Sequence, residues 1–363
     1  MSAARHFAQS YVEARDKFFA AARLCGLGIE THVHPLPGRD GEMLAMDVAR
    51  DGPRNAASVL VISSACHGVE GFCGSGIQTA LLLDPAWHQA AEDGGVAVLY
   101  IHGLNPYGFS WWRRTTHENV DLNRNFRDFT TEAPRNVAYD AIADIVVPET
   151  WPPDTETVEK MARFVAEHGA PALQQVISGG QYHHPKGLFY GGTGPTWSHT
   201  TLRGVLQAHG SRCARLGWID LHTGLGPSGV GERILACRDD PAAHARARAW
   251  WGEVTSIYDG SSTSALLTGL MWLAAYEACP QAEYTGIALE YGTKPPLEMI
   301  EALRADQWLE NHPATDDATR RAIKRQVRDA FYVDTDEWKN QVVTQARDAA
   351  YAAVRGLQTA PEA

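Results

Sequence analysis

Short apolar runs separated by helical and glycine-rich segments predict a sheet whose strands are connected by helices. Residues 59–62 and 96–101 have the length and β-branched content of buried strands. Between them, residues 76–83 are apolar enough for a buried helix that ends at Asp84-Pro85. A strand, a helix and a second strand in this order indicate a parallel crossover. The pattern therefore predicts an α/β fold.

The same pattern predicts the elements on either side. Residues 9–25 suit an amphipathic helix, and residues 31–36 and 43–48 suit a hairpin at the outer edge of the sheet. Further strands are predicted at 216–221, 234–237 and 285–290, a helix at 241–257, and helices from 297 to about 357. From about 129 to 210 the periodicity weakens, which we interpret as an insertion over one face. No repeat or linker is evident, so one domain is expected over residues 1–363.

Composition narrows the class of protein. The chain has 363 residues, of which 44% are hydrophobic, enough for a sizeable core. A net charge of -11 argues against general nucleic-acid binding, which needs a basic face. We see no signal-peptide pattern and no uncharged run of membrane-spanning length. The six cysteines are scattered without a C-x-x-C pair, so we expect a reducing, cytoplasmic location.

Candidate chemistry begins where the strand at 59–62 ends. His67 and Glu70 lie three residues apart on the loop that follows, and by themselves they could equally be a surface pair. His222 follows the strand at 216–221 and would complete a His₂Glu set, which zinc hydrolases use while leaving a fourth position for water. Asp220 or Thr223 could orient its ring.

Three further side chains would complete a hydrolytic site. Glu290 ends the strand at 285–290, where it is either a cap or the base that takes a proton from water. Arg113 and Arg124 lie in an asparagine-rich segment and could stabilise an oxyanion and bind a substrate carboxylate. The alternative is that these arginines pair with Asp121 and Asp128 on a solvated loop.

Over residues 58–295 the ordered set His67-x-x-Glu70, Trp112-Arg113, Asp121–Phe126, His222 and Glu290 resembles the zinc carboxypeptidase superfamily. The segment 220–223 is also similar to the related deacylases of the aspartoacylase and succinylglutamate desuccinylase type. The resemblance implies a mixed, mainly parallel, twisted sheet flanked by helices. It also implies a core catalytic region at 58–295 and a helical flank at about 297–357.

The resemblance further implies roles for single residues. One Zn²⁺ would be held by His67, Glu70 and His222. Glu290 would be the general base and Arg113 the group that polarises the carbonyl. Asn123 and Arg124 would bind a substrate carboxylate. The family also has a mobile tyrosine, for which Tyr258 is our candidate, with the alternatives Tyr276, Tyr284 and Tyr291.

Three functions remain open from the sequence. The first is a carboxypeptidase-like metallopeptidase and the second an amidohydrolase acting on N-acyl amino acids, so the expected partner is a peptide or an acylated amino acid. The third is a binding protein that has kept the fold without activity. The insertion between Arg124 and His222 carries no motif that transfers from well-known carboxypeptidases.

Several other motifs carry less weight. Residues 224–229 match G-x-G-x-x-G, but Pro227 and the strand-like run that follows indicate a turn. No P-loop or strict G-x-S-x-G motif is present. Cys66 and Cys73 are expected to be small buried thiols. His183 and His184 could contact substrate or a second metal.

Overall fold

A computed structural model describes residues 2–358 of the chain. Within these residues seven strands form one sheet: β1 (Ile29–Pro37), β2 (Met43–Asp51), β3 (Ser58–Ser64), β4 (Val96–His102), β5 (Arg215–Ser228), β6 (Gly231–Leu235) and β7 (Glu283–Gly292). Their order across the sheet is β1-β2-β4-β3-β5-β7-β6. The four central strands β4, β3, β5 and β7 are parallel, whereas β1, β2 and β6 pair in antiparallel fashion. The predicted mixed, mainly parallel α/β fold is thus confirmed.

The helices are α1 (Tyr11–Leu24), α2 (Gly71–Leu82), α3 (Pro85–Asp93), α4 (Pro106–Trp111), α5 (Val137–Asp140), α6 (Ala143–Val146), α7 (Thr155–His168), α8 (Ala170–Ser178), α9 (Trp197–Gly210), α10 (Pro241–Trp251), α11 (Leu273–Ala278), α12 (Pro296–Asn311), α13 (Asp317–Phe331) and α14 (Asp336–Gln358). Short 3₁₀ helices cover Ala3–His6, Gly68–Glu70 and Leu122–Arg124. None of the helices in residues 2–358 combines the length and the apolar content that crossing a membrane requires.

The central strands are apolar because both of their faces are covered. Every residue of β3 and of β4 is buried, as expected for parallel strands between two layers of helices. Helices α2 and α14 pack against β3 and β5. Parallel strands end at the same edge of the sheet, so the loops that follow β3, β5 and β7 lie side by side.

Local sequence signals account for most element boundaries. The hydroxyl of Ser10 accepts a hydrogen bond from the backbone N–H of Glu13 and caps α1. Asp84 caps α3, whose first residue is Pro85. The predicted helix at 241–257 is too long, because α10 ends at Trp251 and the chain reverses at Gly252, where φ is +75°. Strand β5 is longer than predicted and continues through the glycines of 224–229 to Ser228.

The segment predicted as an insertion contains α5 to α9. Helix α7 has no buried residue and is followed after Gly169 by α8, so these two helices form a hairpin on the outside of the molecule. The amide of Gln174 donates to the carbonyl of Thr263 at 3.0 Å. The side chain of Gln175 exchanges hydrogen bonds with the backbone of Leu266. The α7–α8 hairpin is therefore attached to the segment that follows α10.

Candidate active site

The loop after β3 is shaped by a close approach to α4. Ala65 has φ +61°, which turns the chain out of the strand. A Cβ atom at Gly68 would lie 2.1 Å from the backbone of Gly108, so only glycine fits there. The N–H groups of Gly68 and Val69 donate to the carbonyls of Arg114 and Arg113, at 3.1 and 2.9 Å. These contacts hold His67 and Glu70 at the end of the sheet.

The structure brings His67, Glu70 and His222 together. The Nδ1 atom of His67 lies 2.9 Å from Glu70 Oε1, and the Nδ1 atom of His222 lies 3.0 Å from Glu70 Oε2. The two imidazole centroids are 4.9 Å apart. All three side chains are buried. Both histidines thus direct the same ring nitrogen towards one carboxylate.

Carboxylates face the other nitrogen of each ring. Asp220 Oδ2 lies 2.5 Å from His222 Nε2, while Asp220 Oδ1 accepts from Ser63 Oγ at 2.5 Å. Ser63 Oγ in turn accepts from the indole N–H of Trp218 at 2.7 Å. This chain of hydrogen bonds makes Asp220 the acceptor for the His222 Nε2–H, so Nδ1, which faces Glu70, is the ring nitrogen available to a metal ion. Thr223 does not orient the ring, because its hydroxyl donates to the carbonyl of Phe331.

Asp121 is the carboxylate nearest to Nε2 of His67, and the guanidinium of Arg114 also contacts this nitrogen. Its Oδ1 atom lies 3.3 Å from His67 Nε2 and also accepts from the backbone N–H of Asn123 at 2.9 Å. Asp121 does pair with an arginine, since Arg114 Nε lies 2.9 Å from its Oδ2, but it is fully buried rather than on a solvated loop.

The protonation equilibria reflect this concentration of charge. Burial alone would raise the pKa of Glu70, but the charges of His67 and His222 and the hydrogen bond with His222 hold it well below its usual range. Burial opposes ionisation of Asp121 too, yet Arg114 and Arg124 hold its pKa well below the usual range. Burial lowers and Asp220 raises the pKa of His222, and the net shift is well upwards. The cluster therefore favours ionised carboxylates.

The donor set fits a divalent metal ion. His67 Nδ1 is buried and has no hydrogen-bond partner of good geometry, although Glu70 is close. One ligand atom from each of His67, Glu70 and His222 lies within 4.8 Å of the others. Two imidazoles and a carboxylate, with carboxylates on the outer ring nitrogens, form a donor set typical of zinc.

A second grouping of Cys66, Asp220 and His222 meets the same distance criterion but fits a metal less well. Burial raises the pKa of the Cys66 thiol well above its usual value, whereas metal binding needs the thiolate. Both oxygens of Asp220 are already engaged by Ser63 and His222. Cys66 and Cys73 are buried and free of disulfides.

Glu290 lies beside the candidate metal ligands. It is the register partner of His222 across β5 and β7, and it faces the cavity that His222 also lines. Its Oε1 atom accepts a hydrogen bond from the backbone N–H of Leu225 at 2.9 Å, which fixes the carboxyl group. Burial and the neighbouring charge of Glu70 raise the pKa of Glu290 to about 7.

The structure places Arg113 away from this cluster. Its Nε atom lies 3.5 Å from Asp306 Oδ2 and its Nη1 atom 3.5 Å from Glu310 Oε2, and it does not line the cavity. The neighbouring Arg114 is the one at the site, with Nη1 3.2 Å from Glu70 Oε1 and Nη2 2.7 Å from His67 Nε2. The sequence motif singled out Arg113, and the turn at Trp112, with φ +53°, instead directs Arg114 to the cluster.

Asn123 and Arg124 both line the cavity. The Asn123 side-chain oxygen accepts from the backbone N–H of Met271 at 3.0 Å. Arg124 donates from Nε to the carbonyl of Ser178 at 3.2 Å and from Nη1 to that of Asn123 at 2.9 Å, and its Nη2 also contacts Ser178. Phe189 packs near both guanidinium groups, 5.0 Å from that of Arg114 and 5.4 Å from that of Arg124.

The tyrosine candidates lie elsewhere. The hydroxyl of Tyr258 donates to the carbonyl of Cys237 at 3.1 Å, and the side chain does not line the cavity. Tyr276, Tyr284 and Tyr291 are not in its wall either. His184 lies 2.8 Å from Asp140, away from the cluster, and His183 is also outside the cavity wall.

The candidate ligands open into one large cavity of about 570 Å³. Its charged wall residues all belong to the cluster or adjoin it, namely His67, Arg114, Arg124, Asp220, His222 and Glu290. The rest of the wall comes from β5, β6, β7, α12 and the loops, and from α8. Helix α8 belongs to the segment predicted as an insertion over one face, so this segment forms part of the cavity wall.

Comparison with solved structures places the fold. Thrombin-activatable fibrinolysis inhibitor is similar, with a TM-score of 0.50 at 10% identity, covering 97% of this chain and 75% of that chain. A metallo-carboxypeptidase from Burkholderia cenocepacia gives 0.45 at 12% identity, covering 97% and 70%. A protein assigned to the succinylglutamate desuccinylase/aspartoacylase family, from Shewanella amazonensis SB2B, gives 0.34 at 17% identity, covering 77% and 69%. The resemblance to the zinc carboxypeptidase superfamily is confirmed at the level of the fold.

Comparison with sequences gives the family. No curated protein sequence matches the chain. One family does, DUF2817, whose description is "Protein of unknown function", and the match extends over residues 7–345. Because the match covers most of the chain, this protein belongs to the DUF2817 family.

Proposed function

We propose that the protein is a zinc-dependent hydrolase that cleaves an amide bond next to a free carboxylate. The observation that carries this proposal is the convergence of His67 Nδ1, His222 Nδ1 and the Glu70 carboxylate at the end of a cavity that Glu290 also lines. Three such ligands with room for a substrate are typical of catalytic rather than structural zinc sites.

When bound by His67, Glu70 and His222, zinc would supply Lewis acidity that polarises a carbonyl and lowers the pKa of water. Glu290 would accept the proton of the attacking water and return it to the leaving amine. Arg114, rather than Arg113, would be the cation near the carbonyl oxygen, because Arg113 is held by Asp306 and Glu310.

The substrate carboxylate would be bound by Asn123 and Arg124. Arg124 carries five N–H donors, and three of its hydrogen bonds go to backbone carbonyls, so donors remain for an anion. A mobile tyrosine is not part of the proposal, since the hydroxyl of Tyr258 is engaged by Cys237. The partner would be a peptide or an acylated amino acid in the cytoplasm.

Two substrate forms satisfy these roles. In the first, the carboxylate is the C-terminus of a peptide, and the enzyme is a carboxypeptidase-like metallopeptidase. In the second, it belongs to an N-acyl amino acid, and the enzyme is a deacylase. The names of similar structures include both types, and the second form is favoured by the uncharged remainder of the cavity wall.

The test is to incubate zinc-loaded protein with a mixture of peptides and N-acyl amino acids and to identify products by mass spectrometry. Glu290→Gln serves as the inactive control. New products that require both zinc and Glu290 support the proposal. Tight binding of these compounds without any turnover would instead indicate a non-catalytic binding protein.

A further inference from the structure

The cavity is much larger than one amino-acid side chain requires. Its volume is about 570 Å³, whereas a cavity of about 150 Å³ is enough to hold a benzene ring. A single aromatic or aliphatic residue of a peptide would therefore leave most of the space unfilled. Leu297 belongs to the wall and is 72% exposed, so the cavity opens to solvent beside it.

The wall away from the metal cluster is aliphatic and uncharged. Leu173 and Ile177 come from α8, Ala265 and Leu267 from the segment after α10, and Ile300 and Leu303 from α12. Every charged member of the wall lies in or beside the cluster of candidate ligands. A charged group on this part of a substrate would meet no counter-charge and would lose its hydration.

The polar groups in this part of the wall are largely occupied. The Gln174 amide donates to the carbonyl of Thr263, and the carbonyl of Ser178 accepts from Arg124. The backbone N–H of Ser264 donates to Ser262 Oγ at 3.0 Å, and the Ser264 hydroxyl donates to the carbonyl of Ala265 at 3.4 Å. An extended peptide has an N–H and a C=O at every residue, and these would find few free partners here. A hydrocarbon chain has no such requirement.

We propose that this cavity binds the aliphatic acyl chain of an N-acyl amino acid, with the amide at the metal cluster and the chain under α8. This inference rests on the proposed function and narrows its substrate class. In the reaction, the oxygen of water bonds to the acyl carbon, the C–N bond breaks, and the amine nitrogen takes the proton. The products are a fatty acid and a free amino acid.

The first test compares N-acetyl-, N-octanoyl- and N-dodecanoyl-alanine as substrates of the zinc-loaded protein. Each methylene buried in the cavity should raise kcat/KM by about fourfold, which corresponds to about 0.8 kcal/mol. We expect a preference of roughly 100-fold or more for dodecanoyl over acetyl, which burial of only about four of its ten additional methylenes would produce. Equal values for the three substrates would overturn the inference and leave the proposed hydrolase intact.

Variants of the cavity wall test where the acyl chain of the substrate binds. Leu173→Trp on α8 narrows the cavity and should reduce the dodecanoyl-to-acetyl ratio of kcat/KM by at least about tenfold. Ala265→Trp, on the segment after α10 that α8 contacts, is an independent second variant. The matched control is Ala166→Trp on α7, an exposed position outside the wall, which should keep the wild-type ratio. An unchanged ratio in both folded cavity variants would overturn the inference.

A binding measurement separates this inference from the proposed function. N-dodecanoyl-alanine is titrated by calorimetry into Glu290→Gln protein and into the double variant that also carries Leu173→Trp. One-to-one binding that weakens at least about tenfold in the double variant supports the cavity assignment, even if no hydrolysis is found. Binding that is unaffected by Leu173→Trp overturns it, even if the protein proves to be a hydrolase.

Discussion

The guanidinium of Arg124 donates to the carbonyl oxygen of Ser178, the last residue of α8, through both Nε and Nη2. A candidate carboxylate-binding residue is thus held in place by the helix that covers the cavity. Gly180, with φ +91°, lies next to it, and a Cβ atom there would come within 2.6 Å of Arg124 Cδ. The position of Arg124 therefore depends on the insertion.

Gly180→Ala should displace Arg124 and weaken carboxylate binding. We expect kcat/KM for a substrate with a free carboxylate to fall about tenfold more than for its amidated analogue, in steady-state kinetics. Gly26→Ala is the control, because Gly26 also has a positive φ of +70° but nothing lies within 4 Å of an added Cβ. Equal losses on both substrates would argue against a carboxylate-binding role for Arg124.

Asp220→Asn should weaken metal binding without removing a ligand. The carboxylate accepts from His222 Nε2 and fixes the tautomer, so its loss should cost about 10- to 100-fold in zinc affinity, measured by competition with a chelator. Asp239→Asn is the matched control, since Asp239 contacts His244 at an exposed site.

His67→Ala removes a candidate ligand, so the purified variant should no longer contain one zinc ion per protein molecule. Unchanged metal content in His67→Ala would refute the ligand assignment.

Arg114→Ala should lower catalytic activity, whereas Arg113→Ala should lower stability. Removing Arg114 should lower kcat by about 10²- to 10³-fold in a folded protein, as for other groups that stabilise an oxyanion. Removing Arg113 should mainly lower the melting temperature, because Asp306 and Glu310 lose a buried partner. Both kcat and the melting temperature are measured for each variant. The reverse pattern would restore Arg113 to the catalytic role.

Glu290→Gln should strongly reduce turnover and leave metal content unchanged. Loss of a general base costs about 10²- to 10⁴-fold, and Glu290 is not among the three candidate ligands. Zinc content by mass spectrometry and kcat by product assay are measured together. Glu283→Gln, at the beginning of the same strand, is the control and should have the zinc content and kcat of the wild type. Full turnover in zinc-loaded Glu290→Gln would exclude the base role.

Glu310 should stabilise the fold in a pH-dependent way. Burial would raise its pKa, but Arg113 and Lys324 lower it to about 2. Because the folded-state pKa is below the unfolded one, the contribution is present above about pH 4.3 and is lost as pH falls towards 2. Glu310→Gln should therefore lower the free energy of unfolding by about 1–3 kcal/mol at pH 7 and by progressively less in acid.

Urea unfolding across this pH range measures the effect. Glu167→Gln, at an exposed position on α7, should change stability by less than about 0.5 kcal/mol at any pH. A difference between wild type and Glu310→Gln that stays constant down to pH 2 would show that the carboxylate charge is not the cause.

The central sheet was predictable because its strands are short apolar runs between turns. The runs at 59–62, 96–101 and 216–221 all became parallel strands. Parallel strands that end at one edge bring His67, His222 and Glu290 together without further information. For this reason the candidate metal ligands could be proposed from sequence spacing and strand ends alone.

Other parts depend on tertiary contacts that no local pattern encodes. Arg113 and Arg114 are chemically identical neighbours, and the turn at Trp112, with φ +53°, decides which one faces Glu70. The role of α8 was equally hidden, because its contacts with Thr263 and Leu266 join residues about 90 positions apart. The glycines and prolines around the insertion weaken the periodicity without indicating what it covers.

The walls of the cavity come from several separate stretches of the chain. The candidate metal ligands lie on loops and strands of the buried sheet, whereas α7 and α8 form a peripheral hairpin that is hydrogen-bonded to the segment after α10 and packs Ile177 into the core. The metal ligands and this part of the cavity wall are thus encoded in different stretches of the chain. Exchanging residues 155–178 between relatives would alter what enters the cavity while leaving His67, Glu70 and His222 untouched, which makes this hairpin the natural unit for diversification and for engineering.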